Sequence, residues 1–382
     1  MGLRIEPAFE PDQFRLLGQE WNGLLAASPA DTIFLTWEWI STWWDVYGTD
    51  SRLYVLAVRD DDGTLVGIAP LRIRKRSRLG GLVRLRSVEF IGTGGDVTPE
   101  YLDLIARPGF DLAVADAVAD VLQQDASIDV IDLRSCPSAS PCLARLRERL
   151  AQEGRGLLQL RHDSTCPSMR LPATWEIYWA SRSRNHRKKL REYDRRCERE
   201  LAIRLRLTST PQEIDADMQT LMALHHRRWD HGSRAFQSDR YRKFHLRLAR
   251  LLLDRGALRL FSLEAGPKVV ASLYCFSYHG RYYYYQAGRD PDYSRYRVGL
   301  VLLHRAVGQA IAEGAHTFDF LSGDEDYKYT WADEQAVNLR LSHWKSGPAR
   351  IVGRLSALAG RIRSHQTGPR ARARSGHAAA DS

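Results

Sequence analysis

Arg281-Tyr282-Tyr283-Tyr284-Tyr285-Gln286-Ala287-Gly288 reads as a strand, because a run of aromatic residues suits a pleated, half-buried surface. Two further runs precede it, Leu258–Glu264 and Val269–Tyr278, with the spacing of a hairpin. A short loop, Arg289–Val298, then leads to Gly299, which opens an apolar-periodic helix over Leu300–Glu313. Another strand follows at Thr317–Leu321, and after it a polar cluster, Ser322-Gly323-Asp324-Glu325-Asp326-Tyr327-Lys328. A helix start has N–H groups without intrahelical partners and the positive end of the helix dipole. Set beside strand ends, it predicts a site for an anionic ligand.

Outward from this stretch, strands and helices are mixed. Asp12–Ala26 is a helix with Phe14, Leu17, Trp21 and Leu24 on one face. Thr36 caps a second helix, on which Trp37, Ile40, Trp44 and Tyr47 share a face. Leu53–Val58 and Leu65–Arg74 form a hairpin around Asp61-Asp62-Gly63, and Val88–Ile91 and Leu102–Ile105 flank a Gly92–Gly95 loop. Asp111–Gln123 is a helix before the strand Ile128–Leu133. The second half has a similar order: a long basic helix over Trp175–Glu200, a strand at Ala202–Leu207, and helices at Pro211–His231 and Asp239–Asp254. Asn338–Trp344 is the last strand. Local likenesses at Gly63–Ala69 with Gly266–Ser272, and at Ile131–Leu133 with Phe318–Leu321, point to an internal repeat. Domains are therefore expected at 1–165 and 166–345, followed by a basic tail at 346–382, disordered at least beyond Gln366.

Composition narrows the function. The longest apolar runs fall well short of 18 residues, and Met1–Asp12 is too acidic for a signal peptide. The five cysteines are scattered, without CxxC spacing, so neither a metal site nor a disulfide framework is expected. A cytoplasmic setting follows as the expectation. The formal charge is +10, unevenly placed. Arg182–Arg206 holds 11 basic and 4 acidic residues, and Lys345–Ser382 holds 8 and 1. These segments suit an anionic partner such as RNA or a membrane surface, although a solvated face and a free tail would give the same composition.

Three pieces carry a resemblance to a known family: Phe34–Gly48 with its Trp-Glu-Trp and Trp-Trp pairs, the basic run Ser181–Glu200, and Phe318–Tyr329 ahead of Trp331. The chain resembles the GNAT acyltransferase superfamily, in particular the CelD-like acetyltransferases named for bacterial cellulose biosynthesis, and their relatives the Fem-type aminoacyltransferases. The resemblance implies an α/β (α+β) fold of tandem GNAT-like domains, each a mixed, mostly antiparallel sheet flanked by helices. The N-terminal domain would be the degenerate one. The implied activity is transfer of an acyl group, acetyl first, from acyl-coenzyme A to a small amine acceptor, with a link to envelope polysaccharide. No metal is implied.

On that reading Arg295, Arg297, Val298, Gly299 and Leu300 meet the donor's phosphates. The family's Arg/Gln-x-x-Gly-x-Gly/Ala signature does not fit Ser294–Val301 in either register. A charged-tRNA donor, a carrier protein or a non-catalytic scaffold therefore stay open. Asp324 or Glu325 would take a proton from the amine or position it, and Lys328 would hold an anionic group. Tyr285 lies on the strand beside the donor, with Tyr283 on its face and Tyr282 and Tyr284 on the other; Tyr327 or Tyr329 could protonate the leaving thiolate. Glu100 and Tyr101, after the Gly92–Gly95 loop, could border the acceptor. His225 could act as a base, although a structural histidine reads as well.

Overall fold

The computed structural model describes residues 2–94, 96–152, 156–229, 235–323 and 325–366. The strands are β1 (Arg4–Ala8), β2 (Ser51–Leu53), β3 (Val55–Arg59), β4 (Leu65–Ala69), β5 (Leu71–Arg78), β6 (Val83–Phe90), β7 (Ile105–Ala106), β8 (Val130–Pro137), β9 (Leu157–Arg170), β10 (Ile203–Leu207), β11 (Leu258–Ala265), β12 (Lys268–Tyr278), β13 (Arg281–Arg289), β14 (Thr317–Asp319) and β15 (Glu334–Trp344). The α-helices are α1 (Pro11–Ala27), α2 (Trp37–Tyr47), α3 (Asp111–Gln124), α4 (Pro141–Gln152), α5 (Trp175–Ser181), α6 (Arg184–Leu201), α7 (Pro211–Trp229), α8 (Asp239–Asp254), α9 (Val298–Ala312), α10 (Asp326–Trp331) and α11 (Gly347–Gln366).

The fold is mixed α/β, with large, mostly antiparallel sheets flanked by helices. One sheet has four strands in the order β1-β3-β4-β7. The other has eleven, β10-β11-β12-β13-β14-β9-β15-β8-β6-β5-β2, and runs through both halves of the sequence. Two of its pairs are parallel, β6 with β8 and β13 with β14. Each pair is joined across a helix, α3 in the first half and α9 in the second. The residues of the local likeness near Ile131 and Phe318 lie on β8 and β14, the second strand of each pair.

The tyrosine run in β13 divides its side chains between two cores. Tyr283 and Tyr285 pack with Phe34 and Trp39 of the first half. Tyr282 packs with Phe318, Phe320 and the apolar side of α9. The alternation follows from the period of two in a strand.

Several elements depart from the sequence reading. The long basic helix expected at Trp175–Glu200 breaks at Arg182, because the Ser183 hydroxyl accepts from the His186 N–H and starts a new helix, α6. The strand expected at Leu65–Arg74 is two strands in different sheets, β4 and β5, and β5 turns back as a hairpin with β6. β9 is one strand spanning 157–170, where no strand was expected. It is held by β15 on one side and β14 on the other. The segment expected as a tail forms a helix from Gly347 to Gln366, because Ala349 and Val352 pack on Trp344, Val130 and Leu85. His231 and residues 367–382 lie outside the described residues.

Candidate active site

β13 and β14 pair over only three residues, Arg281–Tyr283 with Thr317–Asp319. β13 then continues to Arg289 without β14 beside it, while the chain after Asp319 turns away through Phe320, Leu321 and Ser322. Strand edges left open in this way present backbone donors and acceptors. The parting is reinforced by a bulge: Tyr274 lies opposite Gln286 and Cys275 opposite Tyr284, which makes Tyr285 the extra residue. On the sheet face, α7 sits directly on β13. A Cβ at Gly288 would come within 2.5 Å of the His225 amide nitrogen and 2.7 Å of Leu224. Only glycine permits that approach, and it carries Arg228, in the last turn of α7, over the crevice.

Two cavities open from the parting. They share Arg228, Tyr284, Ala287 and Tyr327 as a waist. There the Tyr327 hydroxyl donates to the Tyr284 hydroxyl at 3.1 Å. Burial raises both phenols, so each keeps its proton at neutral pH.

The first cavity combines a basic end with an apolar channel. Its walls include Leu273, Leu300, Leu302 and Leu303, and at one end Arg289, Arg297 and Gly299. Arg297, in the left-handed region at φ 55°, precedes α9, and no side chain caps the helix start. Arg289 donates to Ser294 Oγ at 3.1 Å. Its guanidinium is pulled below its ordinary range, first by burial and then by Arg228 and Arg297. Three arginines therefore converge on one helix start, an arrangement suited to phosphate.

The second cavity is polar, lined by Thr98, Glu100, Gln286, Ser322, Glu325 and Lys328. Glu100 is buried, and its Oε2 accepts from Ser164 Oγ at 2.8 Å and Asn338 Nδ2 at 2.7 Å. Burial raises its pKa, and those hydrogen bonds offset the rise only in part. Beneath lies Asp319, fully buried, accepting from Tyr101 Oη (2.8 Å), Arg281 Nη1 (3.2 Å) and the Leu321 amide (2.8 Å). Lys328 Nζ donates to the Ser322 carbonyl at 2.8 Å and lies 3.0 Å from Glu325 Oε2. The pair folds back over Gly323, at φ 142°, where a Cβ would collide with both groups.

The structure brings Glu325 and Lys328 together in the second cavity, and Arg297, Gly299 and Leu300 in the first. Asp324 lies outside the described residues. Val298 is fully buried among core residues and lines neither cavity. Arg295 turns away, stacking on the Tyr296 ring at 4.7 Å and donating to Tyr296 Oη at 2.6 Å. Tyr285 borders the second cavity, but its hydroxyl is sealed in the core, with the ring 5.0 Å from His245 and 5.3 Å from Phe276. Tyr329 is exposed and lines neither cavity. His225 shares a hydrogen bond between Nδ1 and the Ala287 carbonyl at 3.0 Å, and burial pulls its pKa to about 4. A neutral imidazole bonded to backbone is a structural part. Arg228 and Arg289 were not among the candidates. Glu100, expected from its place after the first-half glycine loop to border the acceptor, lines the second cavity, whereas Tyr101 lies beneath it on Asp319. Among the described residues no group of three or more His, Cys, Asp or Glu could hold a metal.

Residues 184–329 match the family described as the acetyltransferase (GNAT) domain. The match covers both walls of the crevice formed by α7, β13, α9 and α10, so this part of the chain is similar to a GNAT acetyltransferase domain. No curated protein matches the chain in sequence. Among solved structures the chain is similar to FemX, at 12% identity and a TM-score of 0.58, over 85% of this chain and 95% of that one. It is similar to a conserved protein of unknown function from Bacteroides thetaiotaomicron, at 12% identity and a TM-score of 0.56, over 90% and 100% of the two chains. A third likeness is to the C-terminal domain of a putative lysylphosphatidylglycerol synthetase from Agrobacterium fabrum, at 9% identity and a TM-score of 0.50, over 88% and 95%. At these identities the likeness is one of fold.

Proposed function

We propose that the protein is an N-acyltransferase that moves an acyl group, acetyl first, from acyl-coenzyme A to a small amine bound in the second cavity. The observation that carries this reading is the parting of β13 from β14, with converging arginines and a helix start at one end and Glu100 at the other. Arg289, Arg297 and the Gly299 backbone hold the donor's phosphates, and the apolar channel takes its arm. The open edge of β13 offers N–H groups to the thioester oxygen as negative charge develops on it. The amine nitrogen attacks the thioester carbon, and the carbon–sulfur bond breaks. Glu100 accepts the proton leaving nitrogen; its raised pKa brings it nearer the working range of a general base. Tyr327 or Tyr284 returns a proton to the thiolate. Lys328 and Glu325 order the acceptor's polar groups. The two topologically similar halves are read as tandem domains, the first lending Glu100 to the second.

The test is calorimetric titration with acetyl-coenzyme A and longer acyl-coenzyme A species, followed by an amine screen. Saturable binding that is lost in Gly299→Glu supports the reading. No binding at millimolar donor defeats it.

A second reading, a Fem-type transfer from charged tRNA, is favoured by the exposed basic face of α6, where Arg184, Lys188, Arg191 and Arg195 stand in solvent. It requires tRNA binding that weakens steeply with salt. No described helix is long and apolar enough to cross a membrane, and all five cysteines are free and buried. A cytoplasmic setting remains the proposal.

A further inference from the structure

Far from the crevice in sequence, the β5–β6 hairpin ends in Leu79-Gly80-Gly81-Leu82. Three successive residues there have positive φ, at 53°, 67° and 100°. The glycines take this conformation freely, whereas Leu79 is strained in it. The result is a tip that holds its leucines away from the body. Leu82 is 89% exposed and Leu79 45%. Space around the two glycines is open, with no atom near an added Cβ. Large apolar side chains at a strained, projecting turn do nothing for the core.

The arms below the tip are basic. β5 carries Arg74, Lys75, Arg76 and Arg78, and β6 carries Arg84 and Arg86. Glu89 neutralises Arg76, and Asp129 faces Arg86. Lys75 and Arg84 are exposed and form no ion pair among the described residues. Lys75 and Arg86 are cross-strand partners, and Arg52 pairs with Ile73 two residues along. These four side chains share one face. They line an open groove with Thr49, Asp50, Ser51 and Ser127, in which the three cations outnumber the one carboxylate.

α11 continues the same surface. Its inner side, Ala349 and Val352, packs on a cluster that includes Val83, the first residue of β6 beyond the tip. On its outer side Ile351 is 60% exposed and Leu355 47%, flanked by exposed Arg350 and Arg354. The sequence beyond Gln366 adds Arg370, Arg372 and Arg374.

We infer that the β5–β6 tip and the outer side of α11 form a docking surface for an anionic lipid bilayer. Leu79, Leu82, Ile351 and Leu355 enter the headgroup–acyl boundary. Lys75, Arg84, Arg350 and Arg354 meet the headgroups, and the groove of Arg52, Lys75 and Arg86 takes a lipid phosphate. Basic residues set around protruding apolar ones match the two signals that stable peripheral binding needs. RNA would be met by the cations alone, and exposed leucines would gain nothing from it.

The inference stands independently of the acyl-transfer reading. It is tested by co-sedimentation of the full chain with vesicles of phosphatidylcholine alone, and of phosphatidylcholine mixed with phosphatidylglycerol. Binding is expected only to the mixed vesicles, and to fall with added salt. The Leu79→Ser/Leu82→Ser double variant should lower the partition by at least about tenfold, from lost apolar burial. Lys75→Glu/Arg84→Glu should lower it by a similar factor. All four residues are exposed, so unfolding temperatures should match the parent. Absence of binding to mixed vesicles at low salt overturns the inference. So does binding unchanged by the leucine variant, or removed only by truncation after Gln366. Binding of an RNA oligonucleotide that the charge variant abolishes and the leucine variant leaves intact would assign the surface to RNA instead.

Discussion

Two glycines of the crevice make opposite predictions when each is changed to alanine. At Gly288 the added Cβ would lie 2.5 Å from the His225 amide nitrogen and 2.7 Å from Leu224. Ordinary contact begins near 3.4 Å, so α7 or β13 must retreat by about 0.9 Å. Both obstacles are backbone or held by it, so no side chain can swing aside. Overpacking of this kind costs about 1–3 kcal/mol. The gain from a less flexible unfolded chain, about 0.4–1 kcal/mol, offsets part of it. A net loss of about 1–2 kcal/mol is expected for Gly288→Ala. The same retreat lifts Arg228 off Tyr284, so donor affinity should fall as well. At Gly299 an added Cβ meets only Arg289 Cδ, at 3.4 Å. Alanine in a helix is favoured over glycine by up to about 1 kcal/mol, so Gly299→Ala should be neutral or stabilising. Denaturant unfolding followed by circular dichroism reads both signs, and titration with acetyl-coenzyme A reads the first variant's second effect. If Gly288→Ala unfolds within about 0.5 kcal/mol of the parent, α7 does not lie on β13 as described and the placement of Arg228 fails with it.

Other perturbations test separate parts of the site. Glu100→Gln should keep the Asn338 and Ser164 contacts largely in place yet lower kcat by about 10²–10⁴-fold, with the acidic limb of activity, where the base is protonated, lost from the pH profile; an unchanged profile would remove Glu100 from the chemistry. Asp319→Ala should cost about 3–5 kcal/mol in denaturant unfolding, because it leaves Arg281 and Tyr101 facing a void; a loss under 1 kcal/mol would contradict the buried pairing. Burial holds His225 near about 4 and His245 near about 3, below the ordinary value of 6.5. Between about pH 6 and 4 the unfolded chain binds these protons and the folded chain does not, so stability should fall with pH by about 1.4 kcal/mol per unit for each histidine. His245→Phe should remove its share of that slope, and an unaltered pH dependence would show that His245 is not held neutral.

The order of strand, loop, helix and strand around Gly299 could be read directly, because each element leaves a local period. The tyrosines of β13 alternate and the apolar residues of α9 recur every three to four positions. The cluster after β14 is recognisable for the same reason, and it contains Glu325 and Lys328. The features that make the crevice were not local. Three pairs between β13 and β14, and then none, is a property of two strands 36 residues apart. The bulge that singles out Tyr285 exists only against β12, and the close approach that carries Arg228 over the crevice exists only because Gly288 meets α7. Glu100 takes its hydrogen bonds from Ser164 and Asn338, 64 and 238 residues away. β9 leaves no local period, because its middle residues are polar and its pairing partners lie far along the chain. What the sequence by itself determined was therefore the identity of the elements and the candidates within them, since period and capping act over a few residues. Which of those candidates share a cavity, and which turn into the core as Val298 and the Tyr285 hydroxyl do, was decided by tertiary packing, because burial and charge are set by neighbours that the chain brings from a distance.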